Sequence, residues 1–490
     1  MDWLDQAALF WPHLAAGFDL LAAVLASSHA LLHKRDTRAA TLWIGFIWLL
    51  PLFGPLLYLA LGVNRIRRRA VSLGVHKHEN REIPENLGES EPVGAAHLLH
   101  LARAVTSVTQ SPLLAGNQVE PLVNGDQAFP AMLAAIEAAQ SSLTLCTYIF
   151  DNDPSGKQFA EALGRAVKRG VAVRVLIDAA GARYSWPSIV GLLRQHGVTI
   201  ARFLPSLAPW RVATINLRNH RKLLVVDGQT AFTGGMNIRH GNLLKTGKNT
   251  DTRRQLNATA RHAVQDLHFR ITGPVVAELQ ETFANDWAFA TQEVLDSTLW
   301  FPELKPTGHV VARIISDGPD ADFEKARWTL LAALAEAQTS VKILTPYFLP
   351  DTALIAALNL AALRGVRVDI ILPEHNNLPY VHWASRALWW QVLERGCHIW
   401  LTPAPFDHSK LMIVDNHWVL LGSANWDARS LRLNFELNVE CYGREFAQTS
   451  EAIITTKLTN AREITLVEID ARPLPEKLRD AIARLFSPYL

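Results

Sequence analysis

The sequence contains one structural unit twice, and this duplication constrains the fold more than any other feature. Three pairs of segments match in the same order, 141–150 with 339–348, 162–178 with 357–373, and 192–200 with 392–400. In each half a strand-like run is followed by an amphipathic helix, a glycine and a β-branched strand, and then by a second helix, glycine and strand. Strands that alternate with helices predict an α/β fold. We therefore expect two tandem repeats, each a mixed sheet flanked by helices, related by a pseudo-twofold axis.

Each half also carries the motif H-x-K-x4-D-x6-G-[GS]-x-N with identical internal spacing. Its residues are His220, Lys222, Asp227, Gly234, Gly235 and Asn237 in the first copy, and His408, Lys410, Asp415, Gly422, Ser423 and Asn425 in the second. The alternation of side chains along a strand puts the histidine and the lysine on one face. The small residues that follow let the backbone approach a bound group. Two copies that meet at a seam would bring two histidines, two lysines and two amides to one site.

This set of side chains suits a phosphodiester, whose anionic oxygens must be held by cations and hydrogen-bond donors before a nucleophile can attack. We expect the phosphate to be bound by the two lysines together with Asn237, Asn425, Gly235 and Ser423. One neutral imidazole would attack phosphorus and form a phosphohistidine. The other imidazole would protonate the departing alkoxide and then deprotonate the incoming alcohol. A histidine pKa of about 6.5 suits both roles near neutral pH.

The first 69 residues predict a membrane hairpin. Residues 42–63 contain no charged side chain, and this length of helix, rising ~1.5 Å per residue, would cross a ~30 Å hydrocarbon core. Residues 14–32 are nearly as apolar and predict the other span. A cleaved signal peptide is the rival interpretation of the first stretch, but Asp2 and Asp5 occupy the place of its basic region.

Basic residues flank both predicted spans, and we use them to orient the hairpin. Residues 65–69 contain four arginines, whereas Lys34, Arg35 and Arg38 lie in the loop between the spans. The larger cluster adjoins the main body, so we expect that body in the cytoplasm. After the hairpin we expect a linker over 70–110, whose segment up to residue 94 is polar and irregular. The linker is followed by repeats over 111–300 and 301–490.

Charge and cysteine content exclude some classes of function. A formal net charge of +2 argues against a nucleic-acid partner, because duplex-binding proteins carry a marked basic excess. The three cysteines, Cys146, Cys397 and Cys441, have neither paired nor metal-ligand spacing. We therefore expect no disulfide and no metal site, and each cysteine is expected to be buried.

The duplicated motif resembles that of the phospholipase D superfamily, and within it the bacterial cardiolipin synthases. The resemblance covers nearly the whole chain and includes the segments LPLFGPLLYLALGVNR, INLRNHRKLLVVDG, TPYFLPD and SANWDARSLRLNFE. It implies a multi-pass protein of the bacterial inner membrane, with one active site built by both motif copies. It also implies transfer of a phosphatidyl group from one phosphatidylglycerol to another, with release of glycerol and without a metal or other cofactor.

The resemblance further implies a role for each matching residue. One motif histidine should be the nucleophile and the other the acid and base, and we expect His220 to be the nucleophile. Asp227 and Asp415 are expected to support the geometry of the catalytic site. Two acids outside the motif, Asp266 in DLHFRITGP and Glu436 in NFELN, resemble the residues that orient the histidines.

One residue departs from the family pattern. Asp407 precedes the second motif histidine, where the family usually has an apolar residue. A carboxylate there would raise the pKa of His408 if it pointed inward. On an alternating strand we expect it to point away.

Two other functions use the same residues. Hydrolysis of phospholipid, or less readily of nucleic acid, would pass through the same phosphohistidine with water as the acceptor. A membrane scaffold without activity would bind anionic lipids, but it would have no need for two intact motifs.

Overall fold

The computed structural model describes residues 3–34, 37–62, 96–204, 217–244, 263–318 and 322–487. The described amino-terminal unit contains α1 (Trp3–His33), α2 (Thr37–Leu49), α3 (Phe53–Leu57) and a π-helical turn (Tyr58–Gly62). Helices α1 and α2 lie side by side, and Trp48 Nε1 donates a hydrogen bond to Ser27 Oγ at 3.1 Å. Among the described residues, one helix, His13–His33, is long and apolar enough to cross a membrane.

The second predicted span differs from the expected single helix. Helix α2 ends at Leu49, and the chain turns through Leu52, whose φ of 62° lies in the left-handed region. Gly54 then packs against α2 so closely that a Cβ atom would lie 2.7 Å from Ile47 Cα. Pro51 ends the helical hydrogen bonding, and the close packing of Gly54 on α2 then turns the chain back, so the helix is broken and not merely bent. The predicted arginine cluster and the linker as far as residue 95 lie outside the described residues.

The second unit contains two sets of elements in matching order. Its strands are β1 (Leu114–Val123), β2 (Ser142–Thr147), β3 (Ala172–Asp178), β4 (Thr199–Phe203), β5 (Leu223–Val226), β6 (Thr230–Gly234), β7 (Val264–Gln265), β8 (Leu267–Thr272), β9 (Val310–Asp317), β10 (Ser340–Leu344), β11 (Arg367–Pro373), β12 (His398–Thr402), β13 (Phe406–Asp407), β14 (Leu411–Val414), β15 (Trp418–Gly422), β16 (Glu436–Tyr442) and β17 (Arg462–Ile464). Its α-helices are α4 (Leu99–Thr109), α5 (Asn124–Ala138), α6 (Pro154–Lys168), α7 (Val190–Gln195), α8 (Val276–Thr291), α9 (Lys325–Glu336), α10 (Thr352–Leu363), α11 (Pro379–Arg386), α12 (Trp389–Leu393), α13 (Ala428–Arg432), α14 (Arg444–Leu458), α15 (Leu466–Asp470) and α16 (Leu474–Leu485).

Fifteen of these strands form one continuous sheet, in the order β17-β12-β11-β10-β14-β15-β16-β9-β1-β8-β6-β5-β2-β3-β4. Reading outward from the β9–β1 pair, the two repeats present the same strands in the same order, and β17 is an addition at one edge. We expected a separate sheet in each half. The two join because β1 and β9 pair antiparallel, with Asn117 opposite Val310.

The motif strands lie in the interior of this sheet. Every residue of β5 and β14 is buried, as is typical of strands covered by helices on both faces. One hydrophobic cluster spans the junction and includes Leu267 of the first repeat and Leu437 of the second. The repeats therefore share a core, which holds the ends of their motif strands in a defined relation.

The predicted linker extended too far toward the first repeat. Its last part forms α4, which packs on α9 and buries Leu101, Ala102 and Val105. These side chains recur at the three- and four-residue spacing of a helix face, a pattern that the polar composition of the preceding segment obscured.

Candidate active site

The two motif histidines are attached by their backbones to the opposite repeat. The N–H of His220 donates to the carbonyl of Phe435 at 2.9 Å, and the N–H of His408 donates to the carbonyl of Gln265 at 2.8 Å. The second contact continues the short parallel pairing of β7 with β13. These bonds hold His220 next to Glu436, the residue after Phe435, and hold His408 next to Asp266, the residue after Gln265.

The side chains repeat this crossed arrangement. Nδ1 of His220 lies 3.0 Å from both carboxylate oxygens of Glu436, and Nδ1 of His408 lies 2.8 Å from Oδ2 of Asp266. Both acids are almost fully buried, while each histidine side chain is 12% exposed. A carboxylate accepts, so Nδ1 carries the hydrogen in each ring and the lone pair is on Nε2. Each repeat thus supplies a reactive imidazole and the acid that orients the imidazole of the other.

The small residues of the motif contact these acids. The hydroxyl of Ser423 donates to Glu436 Oε2 at 2.5 Å, and the amide of Asn434 donates to Oε1 at 3.1 Å. A Cβ atom on Gly235 would lie 2.2 Å from Asp266 Oδ1, so only glycine fits there. We predicted Gly235 and Ser423 as phosphate contacts, whereas in the structure they position the carboxylates. Although burial raises the pKa of Glu436, the charges of His220 and Lys222 and the hydrogen bond from Ser423 hold it below its usual value.

The two motif lysines are buried beside the histidines. Lys222 Nζ donates to the carbonyl of His220 at 2.5 Å, and Lys410 makes the same contact with His408. Burial lowers the pKa of Lys222 to about 7 and that of Lys410 to about 8, against the opposing charges of Glu436 and Asp266. The charge of Lys410 also lowers the pKa of Lys222. Groups from both repeats therefore share one electrostatic environment.

Burial also dominates the protonation of the histidines. It lowers the pKa of His220, an effect that Glu436 opposes. Burial and the charge of Lys410 lower the pKa of His408 to about 4, although Asp266 acts in the other direction. In both rings burial thus favours the neutral imidazole.

The motif aspartates lie away from the histidines. Asp227 is five residues beyond Lys222, which along a strand is about 16 Å. Its carboxylate accepts from the backbone N–H groups of Gln140, Ser141 and Ser142 at 2.7–3.2 Å. These bonds tie the β5–β6 turn to the start of β2.

The equivalent Asp415 makes the same type of contacts. It accepts from the backbone N–H groups of Gln338, Thr339 and Ser340, and from His97 Nε2 at 3.0 Å. We expected both aspartates to support the geometry of the catalytic site. Their contacts tie the turns after the motif strands to the starts of β2 and β10.

The motif asparagines are buried near the ends of β6 and β15. Asn237 Oδ1 accepts from the N–H of Ile149 at 3.0 Å, and Asn425 Nδ2 donates to Ser430 Oγ at 3.2 Å. Asn425 Oδ1 is buried without a partner among the described residues. The amides are therefore partly engaged by the protein itself.

Two tyrosines complete the surroundings of the histidines and were not predicted. The ring of Tyr148 lies 5.3 Å from that of His220, and the ring of Tyr347 lies 6.1 Å from that of His408, both in edge-on geometry. Each follows the second strand of its repeat, β2 or β10, but the two positions differ by one residue in the alignment of the halves. A search for matching residues at matching positions therefore misses the pair.

Asp407 points away from the active site, as expected. Its carboxylate accepts from Lys457 Nζ at 2.5 Å and from the N–H of Ser409 at 3.0 Å. The charge of Asp407, which departs from the family pattern, is thus balanced by Lys457. All three cysteines are buried, which confirms the prediction of their burial.

The fold and the crossed histidine–carboxylate pairs define a phospholipase D-type protein. The family described as "Cardiolipin synthase, PLD-like domain" matches residues 132–287 and 330–457, and the family described as "Phospholipase D-nuclease N-terminal" matches residues 21–62. The chain belongs to the cardiolipin synthase family of phospholipase D-like proteins.

Full-length relatives agree with this assignment. The chain is 34% identical over 497 residues to a cardiolipin synthase A of Pseudomonas putida, covering 99% of this chain and 100% of the relative. It is 30% identical over 485 residues to the major cardiolipin synthase of Bacillus subtilis, covering 96% and 98%. A phosphatidylserine synthase structure from Haemophilus influenzae shares the fold, with a TM-score of 0.61 at 16% identity, over 80% of this chain and all of that one.

Proposed function

We propose that this protein joins two phosphatidylglycerol molecules into cardiolipin and releases glycerol through a phosphohistidine intermediate. The chain is a phosphatidyltransferase of the phospholipase D superfamily, a member of the cardiolipin synthases, and it acts on phospholipid at a membrane. The observation that supports the mechanism is the crossed pairing. Buried acids hold both Nδ1 atoms, which leaves the Nε2 lone pair of each ring to face a substrate.

In the first half-reaction His220 is the nucleophile. Its Nε2 lone pair attacks the phosphorus of phosphatidylglycerol, and the bond from phosphorus to the glycerol oxygen breaks. The departing oxygen takes a proton from Nε2 of His408, so glycerol leaves neutral and the phosphatidyl group remains on His220. Glu436 stabilises the positive charge that develops on the His220 ring.

His408 takes the proton for this step from water when the substrate binds. The anionic phosphodiester raises the pKa of His408, which burial and Lys410 hold at about 4 in the empty site. In the second half-reaction a hydroxyl of another phosphatidylglycerol gives its proton to His408 and attacks phosphorus. The bond from phosphorus to nitrogen breaks, cardiolipin forms, and both histidines return to their starting states.

The lysines hold the nonbridging oxygens of the phosphate. Lys222 and Lys410 are buried, and within the described part of the chain neither contacts a carboxylate, so a bound anion would balance their charge. We assign Asn237 and Asn425 to the same oxygens, since both amides follow a strand end beside the histidines.

We also propose the membrane arrangement and the segment limits. Two spans, about 14–32 and 42–63, would anchor the chain in the bacterial inner membrane with the body, repeats 111–300 and 301–490, in the cytoplasm. The second span would cross as the α2 and α3 pair with its break. The near-neutral charge of the chain supports a lipid over a nucleic acid as substrate.

The test is to incubate the detergent-solubilised protein with phosphatidylglycerol alone, in chelator, and to follow lipids and glycerol by mass spectrometry. We expect cardiolipin with an equal amount of free glycerol. Phosphatidic acid without cardiolipin would instead establish a hydrolase, and turnover that requires added metal would contradict the mechanism.

Rapid quenching in denaturant at neutral to mildly alkaline pH tests the intermediate, because the phosphorus–nitrogen bond of a phosphohistidine breaks in acid. The quenched protein should carry phosphatidyl on a peptide containing His220, and His408→Ala should reduce both formation and decay of that adduct. Label on the peptide of His408 would reverse the assignment of the two roles. Near-normal turnover in either His220→Ala or His408→Ala would refute the shared site.

A further inference from the structure

Helix α16 presents an uncovered apolar face. Leu474, Leu478, Ile482 and Leu485 recur at the spacing of one helix face and are 54–73% exposed. The following residue, Phe486, is 57% exposed. Side chains of this size rarely form such a row on a helix that has only water beside it.

The charges of α16 are sorted around this face. On a helical wheel Lys477 and Arg484 lie roughly 60–80° to one side of Leu474. Arg479 borders the other side, but its guanidinium bonds Asp480 at 3.0 Å and lies over the ring of Trp383. Asp480 is buried, and Glu476 is half-exposed on the side opposite Leu474. The apolar face is thus bordered by Lys477 and Arg484 on one side and by no acid of its own helix.

The inward acids fix α16 to the second repeat. Asp480 is buried and accepts from Arg386 Nε of α11 at 2.7 Å and from Arg472 at 2.6 Å. Glu476 lies 3.2 Å from Arg386. The exposed face is therefore a property of a helix held in place, and does not arise from a frayed end.

The same attachment leads to the active site. Ala483 of α16 packs in one cluster with Val381 and Ala384 of α11, and Tyr347 packs against that cluster. The ring of Tyr347 lies edge-on to His408 at 6.1 Å. Helix α11 and Tyr347 thus form a continuous packed path from α16 to His408.

We propose that α16 is an interfacial helix that docks the catalytic unit on an anionic phospholipid surface beside His408. The proposal rests on the proposed function, since a diacyl substrate must reach the histidines from a bilayer. An apolar stripe with a basic border is the pattern of helices that lie in the plane of the interface, with the apolar side inserted about 5–10 Å. The cations would meet the anionic headgroups, and docking would place the active-site end of the second repeat at the surface that holds the substrate.

The first test locates the helix and does not depend on turnover. The native cysteines are buried, so a single exposed cysteine can be labelled with an environment-sensitive fluorophore in the full chain. Ile482→Cys is compared with Glu161→Cys, on the exposed side of α6, after reconstitution into phosphatidylcholine–phosphatidylserine vesicles. We expect a blue shift and quenching by lipid-borne quenchers for Ile482→Cys alone. A probe in water at both positions would overturn the proposal, and so would a blue shift without lipid quenching, which would indicate a second copy of the chain on this face.

The second test separates delivery from chemistry. The double variant Leu478→Gln/Ile482→Gln should lower turnover of phosphatidylglycerol in vesicles by about tenfold while leaving turnover of monomeric short-chain phosphatidylglycerol within about twofold. Leu360→Gln/Leu363→Gln removes a similar exposed apolar pair from α10 and should change neither. Unchanged vesicle turnover, or equal loss on both substrates, would refute the docking role. If the unmodified protein made no cardiolipin from either substrate, the proposed function would fail while the fluorescence result still decided the position of α16.

Discussion

The substitution Glu436→Gln tests the electrostatic role of the crossed acids. Glutamine has the size of glutamate, and its amide oxygen can still accept from His220 while its nitrogen faces the hydroxyl of Ser423. The ring therefore keeps its orientation. What is lost is the buried negative charge 3.0 Å from Nδ1.

The magnitude follows from the charge that develops during attack. In the proposed mechanism the His220 ring gains positive charge as its Nε2 bonds to phosphorus, and this side chain is only 12% exposed to solvent. A hydrogen bond to a charged group contributes ~1.5–3 kcal/mol, and breaking a buried ion pair costs ~3–5 kcal/mol. A loss of about 3–4 kcal/mol in the transition state corresponds to a fall in kcat of roughly 10²- to 10³-fold.

The assay is the initial rate of cardiolipin formation in mixed micelles as a function of pH. Because Glu436 raises the pKa of His220, its loss should also move the acid limb of the kcat/KM profile to lower pH. Glu440→Gln is a matched control: Glu440 lies on the same strand, is fully buried, and pairs with Arg313 instead of a histidine. A Glu436→Gln rate within about threefold of the unmodified enzyme, or an equal loss in folded Glu440→Gln protein, would refute the reasoning.

Three further predictions concern other parts of the site. Asp227→Ala leaves backbone N–H groups without an acceptor, so it should destabilise the fold by about 2–4 kcal/mol and lower the thermal unfolding midpoint. The kcat of the folded variant should stay within about threefold of the unmodified enzyme. A kcat loss of roughly 10²-fold would instead give Asp227 a catalytic role. The pKa of His408 is about 4 in the folded protein, below its unfolded value of about 6.5, so acidification from pH 6.5 to 4 should destabilise the fold by up to about 3 kcal/mol. Calorimetry in detergent should show a smaller loss over that range for His408→Gln, and an equal loss would contradict this titration. Since the pKa of Lys222 is about 7, binding of a soluble dialkyl phosphate should weaken by up to about tenfold per pH unit above that value. Lys222→Met should bind this ligand weakly, and its affinity should depend less on pH. If affinity depended on pH as steeply in the variant, the titrating group would be another residue.

The repeat, the motif strands and the candidate residues could be predicted from the sequence because each depends on local spacing. The crossing of the acids could not. His220 and Glu436 are 216 residues apart, and nothing in the spacing within a half indicates that an acid serves the other half. Only the strand pairing between the repeats brings the two residues together.

Tertiary packing produced three features that the sequence did not indicate. Helix α4 was included in a linker because the residues before it are polar, although its apolar face covers α9. The second membrane span was predicted from composition over 42–63, which does not reveal that Gly54 returns against Ile47. The contacts of Ser423 were also missed, because a small residue at a strand end gives no sign of whether it faces a ligand or a carboxylate.

Each repeat supplies the acid that contacts the histidine of the other repeat, and this crossed arrangement bears on the evolutionary origin of the chain. A single repeat contains one histidine and one acid that cannot meet, so an ancestor of half this length would have had a working site only as a pair of identical chains joined along the edge that β1 and β9 now share. Fusion of the two copies would have removed the requirement for symmetry and allowed the halves to diverge. Gly235 with Asp266 on one side and Ser423 with Glu436 on the other are such a divergence. Each acid should therefore co-vary with residues around the histidine of the opposite repeat, because that histidine is the one it contacts.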